Sequence, residues 1–170
     1  MANCVTILGP GLEGGCCSGD LCVTVIEKTC QDSGGGTSLS NSIEQINGEA
    51  SPITFGQVVY KTSVSDEVKL AKADADLTSH AIGLVGQASI GAGATGTIII
   101  DGIITISDWT AVIGSVSLTP GKEYFLDPDT AGRMTITPPV DSDVGEYVQS
   151  LGTAINATDF RVEPAEKIRI

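Results

Sequence analysis

Residues 55–88 read FGQVVYKTSVSDEVKLAKADADLTSHAIGLVGQA, and from Pro120 the same order of features returns in PGKEYFLDPDTAGRMTITPP and then EYVQSLGTA. Gly56 corresponds to Gly121 and Tyr60 to Phe125, a displacement of 65 residues. Each copy continues with a short apolar segment, 68–71 or 134–136, and then with one that closes on Gly86 or Gly152, two residues before an alanine. A turn followed by three short strands, met twice, predicts a small pseudo-duplicated β domain.

Outward from the repeat, the dominant period from Ser51 to Ile170 is two. Strands are expected over 53–60, 68–71, 81–85, 97–100, 103–106, 112–116, 123–126, 134–137, 147–151, 160–162 and 167–170. Many short strands punctuated by Gly, Asp and Pro argue for an all-β barrel or sandwich. Pro138 and Pro139 end a strand, since neither supplies an amide donor. The stretch ADADLTSH, 73–80, has room for one helical turn. Residues 1–50 form a different region, read as a cysteine-rich N-terminal arm and linker preceding a β-rich structural domain over 51–170. The arm has one basic residue, Lys28, a flexible GGG at 34–36 and an extended segment LCVTVIEK at 21–28. Its end, LSNSIEQINGE at 39–49, is expected to form a brief helix capped by Ser40 or Ser42, with Asn47-Gly48 as the turn that follows.

Composition narrows the partners. Nine basic residues against twenty-one acidic ones give a formal charge of −12. That field repels nucleic acid and anionic membranes, and the scattered acidic residues also serve solubility. The most apolar run, TGTIIIDGIITI, is broken by Asp101 and Gly102, well short of the roughly 18 residues a membrane span needs. The N-terminus carries no basic region followed by an apolar segment, so the expectation is synthesis in the cytoplasm.

Chemistry-bearing groups are sparse. Cys4, Cys16, Cys17, Cys22 and Cys30 all fall in the arm. Their clustering is open to three readings: a zinc site, disulfides, or reduced thiols in contacts with other chains or with the domain. No C-x2-C pair supports zinc, and an odd number leaves one thiol over in any disulfide scheme. His80 is the sole histidine, and no spacing assigns it an orienting carboxylate. Asp127 with Asp129, and Asp141 with Asp143, can offer oxygens to calcium, but lack the dense ligand run of a dedicated loop and read as turns. The GAGATG at 91–96 has no phosphate-loop lysine and reads as a tight connection. Trp109 has two roles open to it, core anchor or subunit contact. No catalytic, cofactor or metal site is therefore assigned. The candidate contact residues are Cys4, Cys16, Cys17, Cys22, Val23, Val25, Cys30 and Trp109.

LTPGKEYFLDPDTAGRMTITPP, VGEYVQSLGTAINATDFRVEP and the final IRI together resemble the C-terminal β module of tailed-phage head-decoration, head-fibre and tail-associated proteins. The resemblance covers about 112–170, and the upstream copy, similar to the β-barrel repeat of capsid-associated proteins, extends it to about 115 residues. In that family a proline-glycine turn feeds the first strand of the module, and a later Gly-x-Ala unit lies near its final strands. Here those positions are Pro120 and Gly121, then Gly152 and Ala154. The resemblance implies a non-enzymatic capsid decoration, or cement, protein on the outer surface of the virion. It would bridge neighbouring copies of the major capsid protein, as a homo-oligomer with a trimer favoured. A head-fibre or tail-associated protein is the alternative, and a carbohydrate-binding module stands behind it. An enzyme would need a site assembled in space, around His80 if histidine takes part.

Overall fold

A computed structural model describes residues 40–140 and 147–170. The chain forms strands β1 (Asn41–Asn47), β2 (Ile53–Thr54), β3 (Val58–Lys61), β4 (Glu67–Leu70), β5 (Ala81–Val85), β6 (Ser89–Ile90) and β7 (Thr95–Thr105), then a single helical turn α1 (Thr110–Ile113). It continues through β8 (Glu123–Leu126), β9 (Met134–Thr135), β10 (Tyr147–Val148), β11 (Ser150–Ala154), β12 (Asp159–Val162) and β13 (Ile168–Arg169). The fold is all-β. Five strands close into a barrel, because β1 pairs in parallel with β4 and antiparallel with β7 in the order β1-β4-β3-β5-β7. The sheet continues outside the barrel as β12-β11-β8-β9.

The repeat is structural as well as sequential. Val59 lies opposite Gly83 as Tyr124 lies opposite Gly152, and Lys61 opposite Val68 as Leu126 lies opposite Met134. Val85 faces Ile98 as Ala154 faces Phe160. The register corrects one expected correspondence: the partner of Gly152 is Gly83, not Gly86. Each of these glycines sits where a neighbouring strand comes too close for a side chain. A Cβ at Gly83 would lie 2.2 Å from the carbonyl oxygen of Ile99, and one at Gly152 1.9 Å from that of Arg161.

β7 serves both halves. Its first part pairs with β1, Ile43 opposite Ile98 and Glu44 opposite Thr97; its last part pairs with β12, Ile104 opposite Phe160 and Thr105 opposite Asp159. Each interface carries a threonine–carboxylate bond, Thr97 Oγ1 donating to Glu44 at 2.8 Å and Thr105 Oγ1 donating to Asp159 at 2.7 Å. The expected strands 97–100 and 103–106 are thus one strand, continuous through Gly102, whose φ of +120° admits the change of partner.

Two expected elements change type. The 39–49 segment contains a strand, not a helix: Ser42 through Ile46 run in register with β7, and tertiary pairing outweighs a helix too short to stand alone. The 112–116 segment is not a strand: its first two residues end α1 (Thr110–Ile113) and the rest lie beyond the helical turn. Trp109, Val112 and Ile113 recur at helical spacing, so one turn directs Trp109 and Val112, 0% and 1% exposed, into the core, and Gly114 at φ +77° ends it. Within 73–80, the Ser79 amide closes one turn on the Ala75 carbonyl.

Two cores result. Ile53, Val59, Val68, Val85, Ile90 and Ile98 fill the barrel. The larger core joins the second half to the barrel wall and includes Val58, Tyr60, Leu84, Trp109, Leu126 and Phe160. Phe160 receives Trp109 and Tyr124 edge-on, with ring centroids 5.9 and 5.8 Å away. Val58, Val59 and Tyr60 are all buried because β3 separates the two cores and has no solvent face.

Candidate functional site

An open trough of about 440 Å³ lies at the barrel end where β3 finishes at Lys61 and β5 starts at Ala81. Ile43, Ile82 and Ile100, from three strands, form its apolar floor, and Pro164 to Glu166 form the facing wall. Gln149 fixes the spacing between the walls. Its Oε1 accepts the Ala81 amide at 2.8 Å, while its Nε2 donates to the Ala81 and Ala165 carbonyls, each at 2.9 Å. The side chain is buried with its amide fully engaged, so its work is structural.

Lys61, His80 and Glu166 carry the trough's charge and hydrogen-bonding capacity. Lys61 Nζ donates to Gln45 Oε1 at 2.6 Å and lies 3.8 Å from the Asp66 carboxylate. His80 is exposed. Among the described residues the trough lining holds no Ser, Thr or Cys, and the adjacent Ser79 is buried with its hydroxyl donating to the Asp76 carbonyl. The arrangement supplies a shaped apolar strip bordered by polar groups; it does not bring a hydroxyl nucleophile to the imidazole.

A second, smaller cavity of about 180 Å³ separates β9 from the chain after α1, lined by Ile113, Ser115, Met134 and Ile136 among others. Arg133 beside it donates to the Thr110 carbonyl at 3.1 Å, tying β9 to α1.

Of the two roles open to Trp109, the structure realises the core one. Its ring is 0% exposed and its indole N–H donates to the Thr158 carbonyl at 3.1 Å, so it has no surface to offer another subunit. Cys4, Cys16, Cys17, Cys22, Val23, Val25 and Cys30 lie outside the described residues, as do Asp141 and Asp143. Asp127 makes a turn: its Oδ1 accepts the amides of Asp129 and Thr130 at 2.7 and 2.9 Å. GAGATG is the connection into β7, with the Gly93 amide bonded to the Asn47 carbonyl. Among the described residues, no group of three or more His, Cys, Asp or Glu is placed to hold a metal ion, and no helix is long and apolar enough to cross a membrane.

Of the polar residues that matter most to the architecture, Gln149 carries no sequence signal, whereas Asn47 is legible only as a turn residue. Asn47 is 0% exposed, and its amide donates to the Ser51 and Ile90 carbonyls while accepting from the Glu49 amide. The bonds of Gln149 to Ala81 and of Asn47 to Ile90 come only from the approach of distant strands. Neither protein-family models nor curated proteins give a match to this chain.

Proposed function

We propose that this is a non-enzymatic structural protein of a tailed-phage particle, a capsid decoration protein that bridges and stabilises neighbouring major capsid subunits. The observation that carries the reading is where the residues of the resemblance fall. Gly121, at φ +73°, makes the turn that feeds β8, and Gly152 and Ala154 lie in β11 against β12, the positions that the resemblance implies. The duplicated, two-cored build agrees with it, since a protein whose work is to hold a surface needs rigidity more than a mobile cleft. Assembly as a trimer at a local three-fold position would multiply weak individual contacts.

A head-fibre or tail-associated protein is the second reading, because the same β module resembles both. Imaging of intact particles separates the two. Density distributed over the icosahedral shell is the expected result; density confined to the tail would reject decoration in favour of the alternative. Carbohydrate binding has less behind it, since the trough has no Trp, Tyr or Phe among its described lining residues to stack on a sugar ring.

A further inference from the structure

We draw no further inference here: the strongest candidate, the apolar trough at the barrel mouth floored by Ile43, Ile82 and Ile100, carries nothing, because Lys61 on its rim is already held by Gln45 and Asp66 and shares the lining with Glu166, and nothing in the structure shows what covers it.

Discussion

At the scale of single residues, the sharpest constraints are backbone approaches. Gly152 combines φ +138° with the Arg161 carbonyl lying where its Cβ would be, so neither the torsion nor the space admits a side chain. Gly152→Ala is expected to destabilise the protein by about 3 kcal/mol or more, read as a shift in the urea midpoint. Glycine at this position was conspicuous in the sequence, but its reason was not, because the contact comes from a strand nine residues on that the chain must first fold back. Asp159 shows a different dependence on context. Hydrogen bonds from Thr105, then from Asn156, hold its carboxyl below the ordinary value of 3.8. A depressed folded value contributes stability that is present above the unfolded pKa and is lost as pH falls through the folded one. Thr105→Val should therefore raise the Asp159 pKa, followed by carboxyl NMR, and narrow the pH range over which the protein resists acid. An unchanged titration would show that the threonine bond does not set it.

At the scale of elements, the β7 strand decides the architecture. Its first part completes the barrel and its second part stands to β12 as β1 stands to the first part, so one strand is the last of one half and the first of the next. In the sequence, Asp101-Gly102 looks like a break between two strands; in the fold it marks a change of partners along one strand. Gly102→Val forces a β-branched residue into a positive φ at that change and is expected to cost about 1–3 kcal/mol by denaturant titration. β1 goes on from β7 to pair with β4, whereas the chain after β7 turns into Trp109 and α1. A helical turn thus stands beside β9 where, in the first half, β1 pairs with β4. Trp109→Ala is expected to cost about 3–5 kcal/mol, since it leaves a large cavity and removes the indole bond to the Thr158 carbonyl, which keeps the Ile106 amide as its other donor.

At the scale of the molecule, the larger core contains side chains from both halves, among them Val58 and Leu84 from the barrel and Leu126 and Phe160 from the second half. The halves should consequently unfold together. Trp109 fluorescence, reporting the second half, and far-ultraviolet circular dichroism, reporting all strands, are expected to give coincident denaturation curves. Separated midpoints would show that the copies are independent units. Residues 38–170 form a compact unit of their own, so a chain beginning at Ser38 is expected to keep its cooperative transition. Comparing the shell affinity of that shortened chain with that of the full chain then tests whether the cysteine-rich arm supplies attachment.

The sequence alone determined the class of fold and the existence of the duplication. Alternating side chains, frequent turn residues and the echo of Gly56 in Gly121 are local properties, and they survive in the structure as strands of the expected kind. It determined β5 and β8 to the residue, because 81–85 and 123–126 are short, apolar and closed by clear punctuation. The tertiary structure alone decided the closure of the barrel by β1, the register that makes Gly83 the counterpart of Gly152 in the other half, the helical turn over 110–113 where a strand was expected from 112, and the trough. Each of these depends on residues far apart in the chain meeting across a strand pair or a core. Gln149 is 68 residues from the Ala81 backbone it holds, and Lys61, His80 and Glu166 share a rim only because three chain segments end there. Periodicity reports which face of a segment is apolar; only long-range packing decides which other segment covers it.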